Sequence, residues 1–264
     1  MMDTVDISQT RMVLLYGIAV LPWLLLWAGG LRLSHDLWLS ILRMSVQLAL
    51  VGLYLKYLFA INAPALNALW IAVMLVVADF TILRRAGLRV RHFFLSTLAA
   101  IAAGTLFSVA YLLFLVIRPE PLYDARYLVP LAGMILGNCL QGNVIGLERF
   151  YCAIRKNENE YLTYLLLGAT RREAVRPYFR EALKASVSPT LASMATLGLV
   201  SLPGMMTGQI LGGSEPWVAV KYQIAIMLCI FASMSLASVL NLALSLSVAF
   251  NDFDVLRGEI FRQR

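Results

Sequence analysis

Charged side chains are scarce in this chain: Asp, Glu, Lys and Arg make up 14% of its 264 residues, against 60% hydrophobic residues. That balance, with a mean hydropathy of +0.76, excludes an ordinary water-soluble fold. Short alternating strands are lacking too. The apolar runs are helix length, and a bilayer tolerates only structures that satisfy their own backbone groups, so the expected class is an all-α membrane protein. Cysteine is rare. Cys139, Cys152 and Cys229 lie far apart without CxxC spacing, which excludes a disulfide framework and leaves them as packing residues. There is no GxxxxGK(S/T) loop, no HExxH and no Cys/His cluster, and the two histidines, His35 and His92, sit near helix ends. The chain is therefore not expected to be an enzyme or to bind a cofactor itself. Uphill movement of a substrate would need an ion gradient or a separate nucleotide-hydrolysing partner. A basic n-region is missing from residues 1–10, which carry Asp3 and Asp6, so no cleavable signal peptide is expected.

Apolar stretches occupy about 12–31, 37–60, 65–83, 93–117, 127–151, 184–203 and 217–250, each compatible with crossing roughly 30 Å of hydrocarbon. About seven spans, in a single transmembrane domain over 1–264, place the termini on opposite sides. A net charge of +7 and a pI near 9.5 point to nucleic acid in a soluble protein, but here placement decides. With the N-terminus outside, sixteen of the 22 Lys and Arg fall on the cytoplasmic side: Arg32 and the clusters at 84–91, 149–184 and 257–264. Arg11, Lys56, Arg118, Arg126 and Lys221 fall outside, and Arg43 is close enough to snorkel to the inner surface. Short cytoplasmic loops retain basic residues, so the expected orientation is N-out, C-in, and no nucleic-acid partner is implied.

One loop is long, 152–183, and it has the features of a docking element. Gly168 is a plausible C-terminal cap for a helix over about 157–167, and Thr170-Arg-Arg-Glu173 fits the S/T-x-x-E capping box that starts a second helix at Arg171. Pro177 removes one backbone donor and is expected to kink or restart that second helix.

Several polar residues interrupt the apolar spans. Asn138, Gln141 and Glu148 fall at i, i+3 and i+10 along one helix face, where they could line a hydrated path or bond to a neighbouring helix. The same span carries two GxxxG pairs, at 133–137 and 142–146, which allow close helix approach. Asp79 lies inside an apolar span and needs a counter-charge or water, the simplest partner being Arg84 or Arg85. Ser238, Asn241 and Ser245 form a stripe that suits a close-packed interface or, for Asn241, a path. The segment 202–216, Leu-Pro-Gly-Met-Met-Thr-Gly-Gln-Ile-Leu-Gly-Gly-Ser-Glu-Pro, is too apolar for a free loop and too rich in Gly and Pro for a regular helix. Such backbone either plugs the outer end or lines a cavity, where Met205, Met206, Gln209 and Glu215 are candidates to meet a cation.

The stretch SLPGMMTGQILGGSEPWVAVKYQIAIM at 201–227, preceded by NCLQGNVIGLERF and LLLGATRREAVRP, resembles the FetB family of ABC transporter permeases over roughly residues 35–255. The resemblance implies a multi-pass permease of the cell inner membrane, paired with a separate ATPase subunit that carries ATP and Mg. It implies export of a metal ion, iron in the family's bacterial members, and kinship with plant permeases tied to aluminium tolerance. In ABC permeases a short cytoplasmic helix sits in a groove of the ATPase, which makes Glu160, Leu167, Gly168, Ala169, Thr170, Arg171 and Glu173 the candidate contacts. Glu160 precedes Gly168 by eight residues, a departure from the importer-type loop, where the separation is about six. Two copies with two ATPases would enclose a pathway at a two-fold axis, with the small-residue faces 133–146 and 237–245 as candidate interfaces. The alternatives are an ABC permease for an organic solute such as a nucleotide sugar or lipid, a gradient-driven cation carrier using Asp79 or Glu148, and a non-transporting scaffold.

Overall fold

A computed structural model describes residues 7–31 and 33–262. Asp3, Asp6, Arg32 and Arg264, which enter the expectations for the N-terminus and for the charge distribution, lie outside the described residues. The described chain is helical, without strands beyond isolated bridges. Helix α1 (Gln9–Tyr16) runs through a single 3-10 turn into α2 (Val20–Ala28), and α3 (Ser34–Ile61) follows. Then come α4 (Pro64–Arg85), α5 (Val90–Tyr111) with a π-helical extension at Leu112–Ile117, and α6 (Ala125–Lys156). The short α7 (Glu158–Leu166) precedes α8 (Arg171–Thr196), α9 (Gly204–Leu211) and α10 (Pro216–Ala249).

Among the described residues, six helical segments are long and apolar enough to cross a bilayer: Thr10–Ala28, α3, α4, Val90–Ile117, α6 and α10. The sixth expected span, 184–203, is formed differently. Helix α8 lies antiparallel to α10, with Arg171 beside Asp254, Ser186 bonded to Ser238, and Thr190 donating to the Met234 sulfur. It therefore travels from one end of the bundle toward the other. It lacks the composition of a span because its first half carries seven charged residues between Arg171 and Lys184. The helix stops at Thr196, where Leu197 turns extended and Gly198 takes φ +84°. Pro177, expected to kink or restart α8, instead lies within one continuous helix, as does Pro189. Both prolines lie on the exposed side of the helix, so neither ring is pressed into the packed face.

The core lies where α10 packs against α5 and α6, with α4 and α8 outside them. Small residues set the approach. A Cβ built on Gly104 of α5 would sit 2.6 Å from the Ser233 carbonyl oxygen of α10, and one on Gly142 of α6 would meet Met234 at 2.5 Å. Gly142 and Gly146 thus serve close packing against α10 and α8, whereas Gly137 of the first GxxxG pair faces open space. Asparagines fix the end opposite the basic one. Asn62, left-handed at φ 43°, caps α3 and accepts from the Ala125 backbone at 2.9 Å, while buried Asn67 donates to the Tyr123 carbonyl at 2.8 Å. The first two spans are almost bare, each with 6% of its apolar window buried, so lipid or another chain must cover them.

Candidate functional site

The hairpin between α7 and α8 is built by local chemistry. Gly168, at φ +88°, places its amide 3.0 Å from the Leu165 carbonyl, while the Ala169 amide bonds Tyr164 at 3.0 Å, closing α7 with a left-handed glycine. The capping box forms as its spacing predicts. The Thr170 amide and hydroxyl both donate to Glu173 Oε2, at 2.8 and 2.7 Å, and the Glu173 amide donates to Thr170 Oγ1 at 3.4 Å. These donors hold the Glu173 carboxyl below the ordinary carboxylate range. Glu160 accepts from the Tyr164 hydroxyl at 3.2 Å. At the tip, Leu166 and Leu167 are 87% and 79% exposed. The two leucines at the corner are thus a bare apolar point between Leu165 and Gly168.

Beneath the tip the hairpin is anchored by the C-terminal tail, a partner with no local signal in the sequence. Tyr161, fully packed, donates its hydroxyl to the Asp254 carbonyl at 2.6 Å, and its ring lies 5.7 Å from that of Phe250. Burial first, and then the Asp254 charge, pushes the Tyr161 phenol up to about 12, partly offset by Arg171, so it remains a neutral donor. Arg171 reaches the Asp254 carboxylate at 3.3 Å and lies over the Phe250 ring. The tail then crosses to the α4–α5 turn, where the Arg89 amide bonds the Ile260 carbonyl at 2.8 Å and the Arg262 amide bonds the Gly87 carbonyl at 2.8 Å. The hairpin is thus tied to the bundle by both α8 and the tail, and the tail in turn contacts the α4–α5 turn.

The expected path residues separate into two groups. Asn138, Gln141 and Glu148 lie on the exposed face of α6, and Asn138 spends one donor on its own Met134 carbonyl at 2.9 Å. Asn241 has no exposed surface: it donates to Asn143 Oδ1 at 2.9 Å and accepts from Thr97 Oγ1 at 3.0 Å, tying α10 to α6 and α5. The rest of its stripe, Ser238 and Ser245, is buried as well, so 237–245 is an interface within this chain. Asp79 is fully buried, with neither carboxylate oxygen partnered and no ion pair to Arg84 or Arg85 among the described residues. That carboxyl is the least satisfied group in the bundle.

The segment 202–216 folds as the short α9 between two turns, packed on α10. Met206 lines a cavity of about 340 Å³ with Met194, Pro203, Gln223 and Met227. Met205 packs against the core, Gln209 keeps its Oε1 buried without a partner, and Glu215 is exposed at the start of α10. Of the candidate metal ligands, then, the cavity gathers Met206 alone. Among the described residues no group of three or more His, Cys, Asp and Glu side chains converges.

A family model described as "Uncharacterised protein family (UPF0014)" matches residues 9–250. The chain belongs to the UPF0014 family. The UPF0014 membrane protein slr1647 of Synechocystis sp. is 37% identical over 245 residues, covering 90% of both chains. Protein ALUMINUM SENSITIVE 3 of Arabidopsis thaliana is 31% identical over 92% of this chain and 88% of its own. The Escherichia coli protein named "Probable iron export permease protein FetB" is 28% identical over 95% of each. No solved structure matches. The family assignment and the apolar helices together make this a multi-pass membrane protein whose relatives include a named permease.

Proposed function

We propose that this UPF0014 protein is the permease subunit of an ABC-type exporter, driven by a separate ATPase that grips the α7–α8 hairpin from the cytoplasm. The observation that carries the reading is the hairpin itself: a capped glycine corner with two exposed leucines, braced against the bundle through the tail. Its proposed contact set is Glu160, Leu167, Gly168, Ala169, Thr170, Arg171 and Glu173, and the exposure of Leu166 supports including that residue. Basic clusters at the hairpin, the α4–α5 turn and the tail share one end of the bundle, which supports placing that end in the cytoplasm of the inner membrane and the N-terminus outside. The cargo is a metal ion, iron by likeness to the Escherichia coli relative's name. Carboxamides on an exposed membrane-embedded face are costly in lipid, so the α6 face with Asn138, Gln141 and Glu148 meets a second copy or a hydrated path at a two-fold axis.

The test is co-reconstitution with a candidate partner ATPase, a P-loop protein without a membrane span. ATP-dependent iron efflux is expected, and Gly168→Val should abolish both ATPase co-purification and efflux, because a β-branched side chain at φ +88° is strained whatever space surrounds it. Unchanged association in that variant removes the hairpin from the mechanism. The unpartnered Asp79 carboxyl favours one second reading, a gradient-driven cation carrier, in which this chain alone would transport without nucleotide.

A further inference from the structure

At the basic end, a cavity of about 630 Å³ opens between the α4–α5 turn, the last turns of α6 and the tail. Three guanidinium-bearing residues line it, Arg85, Arg155 and Arg262, with a single carboxylate residue, Glu148. None of the four is in an ion pair among the described residues, whereas neighbouring Arg149 and Arg171 are paired with Glu181 and Asp254. Retention of positive charge in the cytoplasm explains how many arginines lie at this end. It does not explain why three from distant parts of the chain converge on one concavity.

The convergence is built. Helix α4 delivers Arg85 in its last turn and α6 delivers Arg155 in its own. The tail delivers Arg262, whose amide is fixed to the Gly87 carbonyl at 2.8 Å. The Arg155 guanidinium is held 4.9 Å from the centre of the Phe261 ring, which leaves its edge free to donate. Tyr151, 1% exposed, closes the wall. Three arginines against one glutamate leave an excess of two positive charges around a partly enclosed volume, and guanidinium forks match the geometry of phosphate oxygens.

We infer that this cavity is a binding site for a phosphate group at the cytoplasmic end of the permease, presented by an anionic lipid headgroup or by a soluble phosphate. Occupation would bridge the α4–α5 turn, α6 and the tail, the parts that also brace the hairpin, so the anion would stiffen the frame through which the hairpin is held.

The experiment uses the full chain in nanodiscs. In phosphatidylcholine discs, binding of radiolabelled inorganic phosphate is measured. In discs containing phosphatidylglycerol, lipid retained on the protein is measured by native mass spectrometry. Saturable, salt-sensitive binding in either arm is expected, and the arm that shows it names the source. Arg85→Gln with Arg155→Gln should weaken binding at least about tenfold, while Arg89→Gln with Arg91→Gln, equal charge loss from the same end but outside the cavity, should leave it within about twofold. Glu148→Gln should tighten phosphate binding by about threefold. Should the glutamine pair fail to fold, Arg85→Lys with Arg155→Lys keeps the charge and should still weaken binding by removing the planar fork. Absence of binding in both arms, or equal losses in the cavity and control variants, overturns the site.

Discussion

Helices α6 and α10 each carry a polar stripe at helical spacing, and the two have opposite fates. On α10, Ser238, Asn241 and Ser245 are buried, and Ser238 and Asn241 bond to α8, α6 and α5. On α6, Asn138, Gln141 and Glu148 face outward. In sequence the stripes look alike, because spacing shows which residues share a face and says nothing of what that face meets. The polar groups of α10 are consumed by packing. Those of α6 remain available to a second copy, water or cargo.

The largest effect that would sharpen this contrast is loss of the α10 tie. Asn241→Leu keeps the branching and the number of heavy atoms but strips Asn143 of a donor and Thr97 of an acceptor, both buried. Orphaned polar groups inside protein cost about 1–3 kcal/mol, with membrane helices toward the lower part of that range because the reference state also finds partners. Thermal unfolding in detergent should show the drop. A variant as stable as the parent would show the tie to be dispensable and the two stripes to be equivalent.

The complementary change is Gln141→Ala on the exposed α6 face. Its stability should lie within about 0.5 kcal/mol of the parent, as for surface positions free of structural partners, while efflux by the reconstituted transporter slows. Gln141→Cys should form a disulfide between two copies in oxidised membranes if this face meets its equivalent across a two-fold axis. Normal efflux from Gln141→Ala with no cross-link from Gln141→Cys would break the comparison, leaving α6 merely lipid-facing.

Legibility in the sequence followed the range of the interaction. Gly168 and the Thr170–Glu173 box were readable because every partner lies within five residues, and the structure shows the cap and the box in place. Apolar runs located six crossings for the same reason. Helix α8 begins at Arg171, as its capping box predicts, but the apolar run at 184–203 marks only its second half as a span, because the turns between 171 and 184 carry charge. It is the ties Arg149–Glu181 at 2.6 Å and Arg171–Asp254 that bind those turns to α6 and the tail. The bracing of Tyr161 by Asp254 spans 93 residues, and the tail has neither period nor motif, so nothing in the sequence could announce it. Asp79 was assigned the neighbouring arginines as its simplest partners. Those arginines end α4 at the exposed basic end, while Asp79 is sealed in the bundle.

A third polar group, the Thr170–Glu173 pair, extends the comparison to full solvent exposure, where water competes for every bond and the expected effect is smallest. Donation from the Thr170 amide and hydroxyl lowers the Glu173 carboxyl below its ordinary value of 4.5. A lowered folded-state value means that the carboxylate contributes stability above the unfolded value, and that the contribution disappears as pH falls through the folded one. The hairpin corner should therefore hold constant from neutral pH down to about 4.5 and loosen only below it. Amide hydrogen exchange at Thr170 and Glu173, corrected for the intrinsic pH dependence, reads this directly. Glu173→Gln should remove the pH step while keeping a neutral acceptor for the Thr170 amide. A step that persists in that variant would show that Glu173 is not the group responsible.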